Sequence, residues 1–166
     1  IISYAVSEER LLRACDAARA ALGVLPVLRT SASLVLTEVP GQKASISDKA
    51  ETVMAKRLNA LGMDLVEVAR VPHETAALSG ALGKLAGEVG LILTGSATSD
   101  AHDVGPEAVR AAGGQVDRFG MPVDPGNLLF VGRIGTRPVI GLPGCARSPA
   151  LNGADWVLER IACGLP

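Results

Sequence analysis

Aromatic side chains are nearly missing from this 166-residue chain; Tyr4, Phe119, Phe130 and Trp156 are the whole set. Single-strand nucleic acid is gripped by stacking bases on aromatic rings, and four scattered rings make no such platform. A basic excess is missing too, with 16 Lys and Arg against 17 Asp and Glu and a net charge of -1. Duplex binding rests on neutralising phosphates, so nucleic acid is disfavoured as a partner. No apolar run reaches the roughly 20 residues of a membrane-spanning helix, and no charged-then-apolar leader opens the chain. No membrane partner is therefore expected. Cys15, Cys145 and Cys163 are an odd, widely spaced set. They spell neither a disulfide framework nor a zinc ribbon, and they imply reduced thiols in an intracellular, cytoplasmic protein. His73 and His102 are too far apart in sequence to read as a metal pair. The first residue is Ile1 rather than Met, so the expectation is a piece of a longer protein.

What remains is globular: 48% hydrophobic and 20% charged residues, enough for one core and a short appendage. Gly and Pro fall between apolar runs and mark the turns. Ser7 reads as an N-cap with Glu8 and Glu9 in the first turn, and Leu11, Cys15, Ala18 and Leu22 as one face of a helix ended by Gly23. Residues 24–30 form a connector. The unbroken run Leu34-Val35-Leu36 reads as a strand buried on both faces. Ser47 is the expected cap of a second helix with Ala50, Val53, Met54, Leu58 and Leu61 inward. A strand over 65–71 stops at Pro72, and a helix follows from Glu74 to about Ala86. Leu91-Ile92-Leu93 is the next buried strand. Pro106 suits the first position of a helix closed by Gly113-Gly114. Strands follow over 116–121, 128–134 and 139–142. Ser148-Pro149 is the expected start of a last helix, with Leu151, Ala154, Leu158 and Ile161 inward and Gly164 at its end.

Alternating strands and helices of this kind predict an α/β fold with a mostly parallel sheet. Residues 121–144 lack a helix, so an antiparallel strand pair is expected in that C-terminal part. The domain boundary falls near residue 31. Residues 1–31 read as an N-terminal helix and connector left from a preceding region, and residues 32–166 as the domain itself.

Ligands of open parallel sheets bind past the carboxyl ends of the strands. Four loops qualify: 37–47, 71–73, 94–105 and 143–148. The third, Thr94-Gly95-Ser96-Ala97-Thr98-Ser99, is small and hydroxyl-rich, so backbone N–H groups can approach a phosphate. No Walker A or Gly-x-Gly-x-x-Gly pattern occurs. Asp103 follows; it is either a helix cap or a carboxylate that holds Mg²⁺. In the last loop Gly144, Arg147 and Ser148 sit where a helix N-terminus would take an anion, or where Arg147 is a solvated turn residue.

Leu91-Ile92-Leu93-Thr94-Gly95 followed by Asp103-Val104-Gly105-Pro106-Glu107-Ala108 resembles the signature of the molybdopterin-binding domain family. That family includes molybdopterin adenylyltransferase and the core domain of molybdopterin molybdotransferase. The stretch Arg137-Pro138-Val139-Ile140-Gly141-Leu142-Pro143-Gly144 is similar to the molybdotransferase form. Phe119-Gly120-Met121-Pro122-Val123-Asp124-Pro125-Gly126-Asn127, with 143–149, resembles a bacterial subgroup. In that subgroup the domain precedes a molybdenum cofactor cytidylyltransferase-like domain. The resemblance implies a three-layer α/β/α sandwich. It implies a domain of molybdenum cofactor biosynthesis that binds molybdopterin or a molybdenum cofactor nucleotide, and presents it to a fused or partner nucleotidyltransferase. The implied ligand residues are 94–99, Pro125, Gly126, Asn127, Gly144, Arg147 and Ser148. Two alternatives stay open. One is an active Mg²⁺-dependent adenylyltransferase, with Asp103 catalytic and Asp103 and Asp48, or Glu74, on the metal. The other is a degenerate domain kept for oligomerisation, as a homo-oligomer, or for regulation. The sequence departs from the family in three places. Gly95-Ser96-Ala97-Thr98 stands where adenylyltransferases have Gly-Gly-Thr-Gly. His73 stands where they carry an acid. Asn127 replaces a molybdotransferase Lys.

Overall fold

The two apolar runs lie near the middle of a six-stranded sheet in the computed structural model, which describes residues 5–19 and 22–165. Tyr4 and Pro166 lie outside the described residues, as do Ala20 and Ala21 within the span expected for the first helix. That helix, α1, is Glu8–Ala17. The sheet strands are β1 (Ser31–Glu38), β2 (Asp64–Pro72), β3 (Val89–Leu93), β4 (Gln115–Phe119), β5 (Phe130–Ile134) and β6 (Arg137–Leu142). The helices are α2 (Ala44–Ala60), α3 (Thr75–Leu82), α4 (Val104–Ala111) and α5 (Gly153–Ala162), with a single 3-10 turn over Gly144–Arg147. Strand order is β2-β1-β3-β6-β5-β4. β2, β1, β3 and β6 run parallel, and β5 is antiparallel to both β6 and β4. The fold is therefore α/β and mostly parallel, with antiparallel pairing on the C-terminal side.

Side chains alternate across each strand, which splits the core into two layers. Leu34, Leu36, Leu91, Leu93, Ile140 and Leu142 face Ala50, Met54 and Leu58 of α2 and Leu158 and Ile161 of α5. Val35, Ile92 and Val139 face Leu78 and Leu82 of α3 and Ala108 and Val109 of α4. Phe130 belongs to this second layer. Its ring fills the space over Gly141, where a Cβ would overlap it, and lies against Gly105 of α4. Two glycines thus make room for the one fully buried ring among the described residues.

Several expected boundaries move, each for a physical reason. Ser47 does not cap α2; Lys43 holds the N-cap position. Ser47 lies one turn inside the helix and is buried, its Oγ donating to Glu38 Oε1 at 2.6 Å. Pro106 is third in α4, after Val104, still in the first turn where a missing N–H costs no helical bond. α3 ends at Leu82 rather than near Ala86. The chain must then drop onto β1, where Gly87 presses so closely on Ala32 that a Cβ would sit 2.5 Å from its carbonyl carbon. The last helix starts at Gly153, not at Ser148. Asn152 and Asp155 form a capping box there, and Leu151 is left exposed instead of inward. α1 has no buried residue, and Leu11 is about half exposed. The connector is anchored at its end: Leu28 and Arg29 donate to the Ala162 carbonyl, and Glu88 accepts from Thr30 and Ser31. Cys15, Cys145 and Cys163 are free thiols.

Candidate functional site

Parallel strands put the ends of β1, β2, β3 and β6 on one edge, and the loop entering β5 joins them because β5 runs the other way. At the centre of this edge one peptide unit, Thr94–Gly95, is held from both sides. Its N–H donates to Thr37 Oγ1 on β1 at 2.8 Å. Its carbonyl accepts from Arg147 Nη2, beyond β6, at 2.6 Å. Position 95 must be glycine, because a Cβ would meet the Thr37 carbonyl oxygen at 2.7 Å. Thr37 is 1% exposed, and its hydroxyl also bonds to His73 Nδ1 at 2.8 Å. Three neighbouring strands thus set the origin of the 94–99 loop.

The loop itself is braced from within. Thr94 Oγ1 donates to the Ser96 carbonyl at 2.7 Å and bonds to Thr98 Oγ1 at 3.1 Å. Asp103 Oδ2 accepts from the N–H groups of Ser99 at 2.7 Å and Asp100 at 3.0 Å. Asp103 stands at the N-cap position of α4, yet its side chain caps no helix N–H. It turns back and closes the loop instead. No acceptor among the described residues takes the N–H of Ser96, Ala97 or Thr98. Three successive N–H groups at the sheet edge are thus left for an acceptor from outside the chain.

Arg147 supplies the charge beside it. Burial holds its guanidinium below its ordinary value, and among the described residues no carboxylate comes within ion-pairing reach. Its loop is fixed by Arg57 of α2, which the sequence reading did not single out. The Arg57 fork bonds Asp155 at 2.6 Å and the carbonyls of Ala146 at 2.7 Å, Ser148 at 2.8 Å and Ala150 at 2.9 Å. The ion pair is buried on both sides. Gly144 is exposed at the start of the 3-10 turn. Ser148 Oγ accepts from Ala150 N–H and keeps its own proton to give.

The remaining expected residues are placed as follows. Pro125, Gly126 and Asn127 reach the same edge, but Pro125 and Gly126 pack on α5: Gly153 N–H donates to the Pro125 carbonyl at 3.0 Å, and Gly126 abuts Gly153. Asn127 is exposed there. Asp48 does not join Asp103. It pairs with Arg70 of β2 at 2.8 Å, alongside Glu51. Glu74 is exposed at the N-cap of α3. No three His, Cys, Asp or Glu side chains converge among the described residues, so the donor set does not suit a protein-held Mg²⁺. Two surface clefts lie elsewhere. One of about 310 Å³ separates α2 from α5, and one of about 620 Å³ runs along α2 and β2. Among the described residues no helix is long and apolar enough to cross a membrane.

Three solved structures share this fold. The molybdopterin biosynthesis MoeA protein from Pyrococcus horikosii matches 83% of this chain at 18% identity and a TM-score of 0.54. This chain spans 34% of that protein, about a third of its length. Molybdenum cofactor biosynthesis protein B matches 82% of this chain and 95% of its own, at 17% identity and a TM-score of 0.56. A molybdopterin biosynthesis protein from Mycobacterium abscessus matches 84% of this chain and 94% of its own, at 15% identity and a TM-score of 0.51. No curated protein matches significantly. The family model described as "Probable molybdopterin binding domain" matches residues 26–161, spanning every strand and the whole edge described above, and the chain belongs to that family.

Proposed function

We propose that this domain binds molybdopterin, or a molybdenum cofactor nucleotide, at the carboxyl edge of its sheet and presents it to a fused or partner nucleotidyltransferase. The observation that carries the reading is the run of unpaired N–H groups beside Arg147. Among the described residues the N–H groups of Ser96, Ala97 and Thr98 lack acceptors, and the peptide that starts their loop is gripped by Arg147, a half-buried cation paired with no carboxylate among them. A terminal phosphate would supply the acceptors and the negative charge together. Ser148, Gly144 and Asn127 border the same edge. Cleavage or transfer at this edge is not part of the reading, because the carboxylates named for metal do not converge. A role in oligomerisation finds support in apolar side chains exposed among the described residues, Leu11 and Leu12 of α1 and Trp156 of α5 with them.

Calorimetric titration with molybdopterin tests the proposal. The unmodified chain should bind one equivalent. Arg147→Gln should bind about tenfold or more weakly, the effect of losing a hydrogen bond to a charged group. No binding by the unmodified chain, or equal binding by Arg147→Gln, would overturn it.

A further inference from the structure

The donors at this edge take the reading one step further, and the step rests on it. Three carboxylates near the β1, β2 and β3 ends are already engaged by protein groups. Asp103 Oδ2 takes two backbone N–H groups, Asp48 is held by Arg70, and Glu38 accepts from Ser47. Glu74 is exposed and joins no other ligating cluster among the described residues. The groups tied to the Thr94–Gly95 peptide, in contrast, are donors. Thr37 Oγ1 already accepts from Gly95 N–H, so its own proton is free for His73 Nδ1, the acceptor in reach. That arrangement leaves the ring proton on Nε2, and His73 is only half-buried. His73 and Arg147 are therefore tied to opposite ends of one peptide unit, His73 through Thr37 to its N–H and Arg147 directly to its carbonyl.

We propose that the site takes a phosphate monoester directly, without a divalent cation. The N–H groups of residues 96–98, Arg147 and His73 Nε2–H would be its donors, and His73 would be the residue that selects the bare anion over a metal–phosphate complex. Two strong donors tied to the peptide that starts the loop, with the unpaired N–H groups of 96–98 after it, can serve the three oxygens of a terminal phosphate. A cation would meet no cluster of three ligating side chains among the described residues, and Arg147 and an Nε2-protonated His73 offer it no lone pair, a weak inducement for Mg²⁺ to give up its hydration.

The test uses the full 166-residue chain, inorganic phosphate as the probe, and parallel buffers containing EDTA or excess Mg²⁺. Unmodified chain should bind phosphate with affinities within about twofold in the two buffers. His73→Asp should bind about tenfold more weakly in EDTA, the cost of replacing a donor by a like charge, and should recover with Mg²⁺. His73→Gln keeps an N–H donor, so it should stay within about threefold, and it guards against a folding artefact. Phosphate binding by the unmodified chain that tightens tenfold or more with Mg²⁺, or His73→Asp that binds normally in EDTA, would overturn the inference. If molybdopterin binds but phosphate does not, the inference falls and the proposed function stands. If neither binds in either buffer, both fall.

Discussion

The amide between Thr94 and Gly95 is where the residue scale decides the site. Its N–H and carbonyl are both taken, so the loop leaves the sheet in one direction. Thr94 and Gly95 were legible in the sequence from the small-residue run after an apolar strand. Thr37 was not, because a lone Thr at a strand end carries no signal until its partners, 36 and 58 residues away, arrive. Asp103 was legible as a residue of interest but divided between cap and metal ligand, and the structure makes it a loop brace. This leads to an expected outcome. Asp103→Ala frees the N–H groups of Ser99 and Asp100, so molybdopterin affinity should fall by about three- to tenfold, the worth of one or two such bonds less what water restores. The fall should be the same in EDTA and in Mg²⁺, and hydrogen exchange at Ser99 and Asp100 should quicken. A loss seen only with Mg²⁺ would restore the metal-ligand role.

Elements hold the loops in place through contacts distant in sequence. Arg57 on α2 ties down residues 146–150 and pairs with Asp155, 98 residues away, across the α2–α5 seam. Arg57→Ala leaves a buried carboxylate and three carbonyls without their donor, so urea unfolding should show a loss of about 3–5 kcal/mol. Arg57→Lys should recover little, since an ammonium cannot reproduce the four-acceptor fork. At the opposite edge, the Thr30 amide and hydroxyl hold the Glu88 carboxyl below its ordinary value. A carboxyl depressed in the folded state adds stability above its ordinary range, and that stability drains as pH falls through the depressed value. Glu88→Gln should therefore be less stable than the parent chain at neutral pH, with the gap closing in acid; a gap constant from neutral to acid pH would contradict this. The strands buried on both faces, β1 and β3, were plain in the sequence because no polar residue interrupts their apolar centres. The start of α5 was misplaced because Ser148-Pro149 imitates a helix start. The Asn152–Asp155 spacing that caps the helix lies just beyond it. Ser47 misled in a similar way, since its hydroxyl serves Glu38 instead of the helix end.

At the scale of the whole molecule, topology gathers what sequence separates. Strand order β2-β1-β3-β6 brings His73, Thr37, Thr94 and Arg147 onto one edge in that spatial order, though they lie at positions 73, 37, 94 and 147. The order of elements along the chain made an α/β fold legible, but neither the strand order nor the shared peptide could be read without the pairing of β3 between β1 and β6. The central claim is that this edge holds an anionic pterin ligand through backbone N–H groups beside a half-buried cation. Amide-resolved NMR titration of the chain with molybdopterin tests it most directly. The amide resonances of Ser96, Ala97 and Thr98 should move together and saturate at one equivalent, with the Arg147 side-chain N–H moving in parallel. Resonances that stay fixed at 96–98 while others move, for instance along the α2–α5 cleft lined by Leu61 and Leu158, would contradict the account.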